Sequence, residues 1–292
     1  MRLFQRPVEP LPSGLDLQGK TVIITGASDG LGLETARQML RLRGSTVVLA
    51  VRNIAKGEAC KTKLAADPLV KSLNPPPTIK IMQVDMSRYE SVKNFAKAVK
   101  EEIPVLDVLV LNAGIGTIKF ELGPEGHEIG TQVNYLSNVL LLFELWPLLK
   151  SSTAKTQTPS RVTWVGSRSQ IGVSIPESAI GQKGGVFRYV DDPKSYSPFQ
   201  KYGEGKLLVT MFIYELAKRS PKDVVVVNNV CPGQVNTGMS DILPWYIRWI
   251  INIMKAIRAR SVEQGGWLIL HSALVVGPES HGQFLRDKTV AR

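Results

Sequence analysis

Lys20-Thr21-Val22-Ile23-Ile24-Thr25 runs directly into Gly26-Ala27-Ser28-Asp29-Gly30-Leu31-Gly32. The first six residues, rich in β-branched side chains, read as a short strand, and residues 31–43 have helical spacing. The glycines therefore sit at a strand–turn–helix junction. Such a turn lets the backbone approach a pyrophosphate and points unpaired N–H groups at it, while the helix dipole favours negative charge. The order Gly-x-x-x-Gly-x-Gly differs from the Gly-x-Gly-x-x-Gly of many dinucleotide sites. Glycines so spaced also serve as plain turn residues; the junction is what favours a phosphate cradle.

Working outward, strand-like stretches at 46–51, 79–84, 106–111, 161–166 and 224–230 alternate with helix-like ones at 54–66, 90–101, 126–150 and 199–219. This alternation predicts an α/β fold, a doubly wound parallel sheet with helices on both faces, in a single domain. Right-handed crossovers would place a ligand at the carboxyl ends of the strands. Residues 1–18, rich in proline, read as an N-terminal arm, and 19–292 as the folded domain. Asn74-Pro75-Pro76-Pro77 interrupts the passage from helix to strand, and residues 172–198 read as a surface insertion.

The composition agrees. With 292 residues, 43% of them hydrophobic, the chain can bury a sizeable core. Two cysteines, Cys60 and Cys231, are too few for a disulfide framework and suggest a reducing compartment. The N-terminus lacks a secretory apolar region, and no apolar run approaches the roughly 18 residues of a spanning helix. A cytoplasmic location is expected. The net charge of +11 suits a phosphorylated cofactor, but the basic residues are spread along the chain, so nucleic acid is not expected as a partner. His127, His271 and His281 show no metal-ligand spacing.

Cofactor choice is read at the end of the second strand, Ala50-Val51-Arg52-Asn53, with Lys56 nearby. A carboxylate there would accept from ribose hydroxyls; a guanidinium can instead pair with a 2′-phosphate. Arg52 thus points to NADP(H), against the plain reading of a solvated arginine at a helix start.

Tyr202 and Lys206 lie four residues apart in a helical segment, so both can share one face. An ordinary tyrosine, with a pKa of about 10, is a poor proton-transfer group at neutral pH; a nearby ammonium would lower it. Tyr-x-x-x-Lys is common and usually solvated, and its context raises its value. Ser167 follows a strand and could bond a substrate oxygen, or merely turn the chain. Asn112-Ala113-Gly114 ends another strand, where small residues permit close approach. Asn134 could organise a relay, or make an ordinary polar contact.

TGASDGLG, Asp85 in VDMS, Leu111-Asn112-Ala113-Gly114, Asn134, Ser167, Tyr202-x-x-x-Lys206 and Pro232-Gly233, in this order, resemble the short-chain dehydrogenase/reductase family over residues 19–288. AVRNIAKGEA, VNYLSN and KSYSPFQKYGEGKL resemble its retinol-dehydrogenase-like branch, which includes many biosynthetic reductases. The resemblance implies a Rossmann-type fold and an Asn134–Ser167–Tyr202–Lys206 tetrad. Ser167 would position a carbonyl oxygen, Tyr202 would protonate it, Lys206 would lower the tyrosine pKa and bind ribose, and Asn134 would support a water relay. Cofactor contacts are expected from Gly26, Ser28, Gly30, Leu31, Gly32, Arg52, Asn53, Lys56, Asp85, Met86, Asn112, Ala113, Gly114, Tyr202, Lys206, Pro232, Gly233, Val235 and Thr237. Asp85 would contact adenine, and the backbone around Val235, with Thr237, the carboxamide.

Leu111 stands where many relatives carry asparagine, Gly205 where serine is frequent, and Asp29 puts a negative charge at the presumed pyrophosphate turn. The separation of Ser167 from Tyr202 is long for the family.

Residues 237–260 are expected to cover the substrate. The apolar run Ile242-Leu243-Pro244-Trp245-Tyr246-Ile247-Arg248-Trp249-Ile250-Ile251 suggests a bulky lipophilic ligand. An interfacial membrane helix is the second reading, and a dimer (homo-oligomer) or core contact the third. The expected function is NADPH-dependent reduction of a ketone or aldehyde, or the reverse alcohol oxidation. A non-redox isomerase or cyclase on the same scaffold and a dinucleotide-sensing binding protein are the alternatives.

Overall fold

A computed structural model describes residues 5, 7–235 and 259–291. Its first half runs β1 (Thr21–Thr25), α1 (Gly30–Arg41), β2 (Thr46–Val51), α2 (Ile54–Ala65), α3 (Pro68–Lys71), β3 (Thr78–Gln83), α4 (Tyr89–Glu102) and β4 (Val108–Leu111). Then come α5 (Ile129–Thr131), a π-helical turn (Gln132–Leu136), α6 (Ser137–Thr156), β5 (Ser160–Val165), α7 (Glu177–Ile180), α8 (Gly185–Val190), α9 (Pro198–Ala217) and β6 (Val225–Cys231). The described C-terminal part holds α10 (Val262–Leu270), β7 (Phe284–Arg286) and β8 (Thr289–Val290).

The strands form one sheet in the order β3-β2-β1-β4-β5-β6-β7-β8. Every pairing from β3 to β7 is parallel; only β7–β8 is antiparallel. Strand order reverses between β1 and β4, which opens a crevice at the carboxyl ends of the strands.

The strands are apolar on both faces, as a sheet covered on both sides requires. Period-two alternation decides the partners. Ile23, Leu109 and Leu111 turn to one side and pack with Phe95 of α4, Leu141 and Leu145 of α6, and Ile213 of α9. Val22, Ile24, Val108 and Val110 turn to the other and meet Met39 and Leu40 of α1 and Leu268 and Ile269 of α10. The doubly wound architecture expected from the sequence is found.

Three local expectations differ. The helix read over 126–150 begins only at Ile129, because the buried Glu128 carboxylate caps that end, accepting from Gly130 N at 2.9 Å and Thr131 N at 2.6 Å. The helical region then continues to Thr156, where Gln157 turns left-handed at φ 56°. Residues 172–198 are not wholly irregular: α7 and α8 lie there, and Ile175 and Ala179 pack against Leu208 of α9. These helices are too short to show a period. Finally, the sheet extends through β7 and β8, short strands with no alternation to betray them.

The N-terminal segment docks on the body. Val8 and Leu17 are buried, and Lys288 Nζ donates to the carbonyls of Glu9 and Pro10 at 2.8 and 3.1 Å. No helix among the described residues is long and apolar enough to cross a membrane.

Candidate active site

At the end of β1 the chain turns through Gly26, at φ 66°, and Gly30, at φ 48°, conformations that glycine adopts without steric cost. Gly32 packs onto the Gly26 carbonyl and the Asn112 amide so closely that a Cβ would overlap them. Thr25 and Asn112 hold this turn to β4. Thr25 Oγ1 accepts from the backbone N–H groups of Asn112 and Ala113 at 3.0 and 2.9 Å, and Asn112 Nδ2 donates to the Thr25 carbonyl at 2.9 Å. Asn112 is therefore a brace of the turn.

Asp29 caps α1, accepting from Gly30 N at 2.7 Å, and pairs with Lys56 Nζ at 3.0 Å. Lys56 and its own helix cap hold the Asp29 carboxyl below the usual range. The charge that stood against a phosphate here is thus offset from within the chain. Ser28 accepts a weak bond from Cys60 Sγ, while Leu31 and Met86 join the apolar core.

Arg52 is exposed at the end of β2. Asn53 caps α2, accepting from Lys56 N at 2.9 Å. Asp85 Oδ1 accepts from Ser87 N and Ser87 Oγ at 2.9 and 2.7 Å, which fixes the carboxylate at the end of β3.

Asn134 sits in the π-helical turn, an irregularity that frequently marks functional sites. Its Oδ1 accepts from Ile115 N at 2.7 Å and its Nδ2 donates to the Ile115 carbonyl at 2.9 Å. A Cβ on Gly114 would lie 3.0 Å from Asn134 Oδ1 and 3.8 Å from Lys206 Nζ, so these three residues meet.

Ser167 follows β5 in extended backbone and caps a 3₁₀ turn, Arg168–Gln170. Its Oγ accepts from Ser169 N at 3.2 Å and from Ser169 Oγ at 2.9 Å. Opposite it stands α9. Gly203, next to Tyr202, has no side chain, and the Ser169 carbonyl fills the space a Cβ would need. This contact brings the Tyr202 phenol to hydrogen-bonding reach of Ser167.

One helical turn on, Lys206 Nζ donates to the Val165 carbonyl at 2.8 Å and lies 5.6 Å from the centre of the Tyr202 ring. The expected lowering of the phenol by Lys206 is not found. Burial pushes the Tyr202 phenol up to about 12, with a further push from Cys231 and a smaller pull downward by the Ser167 hydrogen bond. Burial also brings the Lys206 ammonium down to about 8, against an opposing contribution from Cys231. Both groups are held toward their neutral forms by the same desolvation.

Cys231 was missed in the sequence reading. It ends β6, fully enclosed, and its Sγ accepts from Arg168 N at 3.2 Å and Gly233 N at 3.4 Å. It thereby links the Ser167 turn to the loop Pro232-Gly233-Gln234-Val235. Burial raises its thiol. Gly203 was missed too; the costly placement of glycine inside a helix was the only signal for it. Thr237 and most of the expected substrate cover lie outside the described residues. No group of three or more His, Cys, Asp or Glu among the described residues could hold a metal ion.

Ser167, Tyr202, Lys206 and Asn134 thus converge on the carboxyl edge of the sheet, beside the glycine turn. The turn's helix terminus, the glycines without room for a Cβ, and a buried ammonium with N–H donors to spare match a dinucleotide's phosphates and ribose.

The family model described as "short chain dehydrogenase" matches residues 20–167. The chain is 54% identical to the short chain dehydrogenase macD of Penicillium terrestre, over 100% of this chain and 88% of that protein. It is 49% identical to the short-chain dehydrogenase/reductase tropG of Talaromyces stipitatus, again over 100% and 88%. Among solved structures, the Pseudomonas aeruginosa RhlG/NADP active-site complex superposes with a TM-score of 0.69 at 21% identity, covering 94% of this chain and 97% of that one. A 3-oxoacyl (acyl-carrier-protein) reductase from Agrobacterium tumefaciens C58 with NADP bound gives 0.69 at 20% identity, covering 93% of each. At these identities the structural likenesses establish the fold.

Proposed function

The chain belongs to the short-chain dehydrogenase/reductase family, and we propose that it is an NADPH-dependent reductase of a ketone or aldehyde on a bulky lipophilic substrate. One observation carries this reading: Ser167, Tyr202 and Lys206 come together at the carboxyl edge of the sheet, beside the glycine turn that opens α1, with the phenol and the ammonium both desolvated. The NADP bound in the Pseudomonas and Agrobacterium structures supports the cofactor, and the exposed Arg52 supports the preference for a 2′-phosphate. The apolar run at 242–251 supports a lipophilic substrate.

Bound there, NADPH would supply a hydride to the carbonyl carbon. The Ser167 hydroxyl donates to the carbonyl oxygen and orients it. Tyr202, kept protonated by burial, delivers its phenolic proton to that oxygen as negative charge develops on it. Lys206, while charged, stabilises the resulting phenolate and donates to the ribose. Asn134 holds the loop leaving β4 so that Gly114 stays clear of both. Arg52 would receive the 2′-phosphate, while Lys56, paired with Asp29, keeps the neighbouring carboxylate neutralised.

The test is stoichiometry. Incubation with NADPH deuterated at nicotinamide C4 and a panel of lipophilic aromatic ketones and aldehydes should yield labelled alcohol and one NADP⁺ per product. Substrate conversion without NADP⁺ formation would replace this reading with the isomerase or cyclase one. A homo-oligomer and a peripheral membrane contact through residues 242–260 are subsidiary proposals. Light scattering and liposome flotation check them.

A further inference from the structure

The loop after β6 is gripped by a residue from the far end of the chain. Gln234 N donates to Gln5 Oε1 at 2.8 Å, and Gln5 Nε2 donates to the Gln234 carbonyl at 2.9 Å. A single side-chain amide thus satisfies both backbone groups of one loop residue, as a neighbouring strand would. The Gln234 carbonyl also accepts from Arg260 N at 2.8 Å, part of a parallel bridge between Val235 and Arg260.

Arg260 closes the other side. Its guanidinium is buried, ion-paired with Asp287 at 2.5 Å, and Nη1 donates to the Pro232 carbonyl at 3.4 Å. Gly233, at φ 81°, lies between the two: Gln5 Oε1 and Arg260 Nη1 both occupy the space its Cβ would take. Behind Gln5 the segment is anchored by buried Val8 and by Lys288 on the Glu9 and Pro10 carbonyls. The N-terminal segment, the β7–β8 turn and the residue entering α10 therefore close on one short loop.

That loop is tied to the reactive end of the site, since Cys231 Sγ accepts from both Gly233 N and Arg168 N, next to Ser167. Immobilising a glutamine costs rotamer entropy. Two hydrogen bonds to one loop residue offset that cost, and their consequence is a loop with its backbone groups already aimed.

We propose that Gln5 is a positioning residue, and the N-terminal segment a strap, that with Arg260 pre-orders the loop 232–235 for the nicotinamide half of the cofactor. The proposal rests on the reading of the site as an NADPH site. A strap on this loop alone acts on the nicotinamide half and leaves the adenosine half untouched.

The experiment compares wild type with Gln5→Ala and with Gln5→Met, which keeps the length of the side chain. Affinities for NADPH and for adenosine 2′,5′-bisphosphate, which lacks the nicotinamide, are measured by calorimetry. Hydrogen exchange is followed in the peptide containing residues 232–235. Both variants should bind NADPH about ten-fold more weakly, as expected for two hydrogen bonds of ordinary net strength, bind the bisphosphate as wild type does, and exchange the Gln234 amide faster. Unchanged NADPH affinity in both variants, or equal weakening for the two ligands, would overturn the strap. Failure of wild type to bind either ligand would instead overturn the cofactor reading, and the strap's role with it.

Discussion

The carbonyl oxygen of Ser169 stands 2.6 Å from the point where Gly203 would carry a Cβ. Helix α9 and the turn after β5 are therefore in backbone contact, one residue from Tyr202 and two from Ser167. Gly205, on the same helix, meets nothing within 4 Å. Gly203→Ala should push the helix away and cost about 1–3 kcal/mol, with turnover falling more than stability accounts for. Gly205→Ala should fold normally and gain about 0.5–1 kcal/mol. Thermal melts and steady-state turnover of the two variants separate these outcomes, and equal effects at both positions would refute the contact.

Tyr202→Phe removes a proton donor and little volume. Turnover should fall by about 10²–10⁴-fold, while NADPH affinity, measured by nicotinamide fluorescence, stays within a factor of about two. Wild-type turnover in this variant would end the assignment of Tyr202.

The pH dependence follows from burial. Lys206 titrates at about 8, far below an ordinary lysine, so its ammonium is lost as pH rises through that value. Carbonyl reduction at low substrate should decline above pH about 8, and Lys206→Met should abolish that limb along with most activity. Stability takes the opposite sign. Between about 8 and the ordinary lysine pKa the unfolded chain binds more protons, so the Lys206 contribution to stability rises with pH. For Tyr202, raised to about 12, the folded chain binds more protons above 10, so its contribution falls from there upward. Chemical denaturation of wild type and Lys206→Met at pH 7 and 9.5 reads the lysine part: the variant should show less gain between the two.

Arg52 is exposed at the end of β2, where no carboxylate stands. Arg52→Ala should reduce the ratio of NADPH to NADH affinity by roughly ten-fold through loss of a charge-assisted contact, with NADH affinity little altered. Calorimetry with both nucleotides decides it; an unchanged ratio assigns the preference elsewhere.

Flanking Tyr202, Lys201 and Glu204 form an enclosed ion pair at 3.1 Å, with Tyr189 OH donating to Glu204 at 2.8 Å and Lys201 Nζ 3.8 Å from the centre of the Tyr189 ring. Glu204→Ala leaves a buried ammonium unpaired and should cost about 3–5 kcal/mol. Replacing both, as Lys201→Met with Glu204→Leu, should recover most of that. Urea denaturation of the single and double variants measures the difference, and a double variant as unstable as the single one would show that the pair matters for more than charge balance.

The sequence by itself determined the layered α/β fold, because the strand–turn–helix junction at 20–32 and the alternation beyond it are local patterns, each set by side chains a few residues apart. It also brought Asn134, Ser167, Tyr202 and Lys206 forward, since their residue types and order carry chemistry. Tertiary structure decided the rest. Gly203 against Ser169, Cys231 bridging two loops and Gln5 on Gln234 all depend on segments distant in sequence, which no periodicity encodes. The same holds for charge states: the spacing of Tyr202 and Lys206 suggested an ammonium pulling a phenol down, whereas in the fold desolvation raises the phenol and lowers the ammonium. Spacing places two groups side by side; the surrounding dielectric, known only once the helices close over them, determines what each holds.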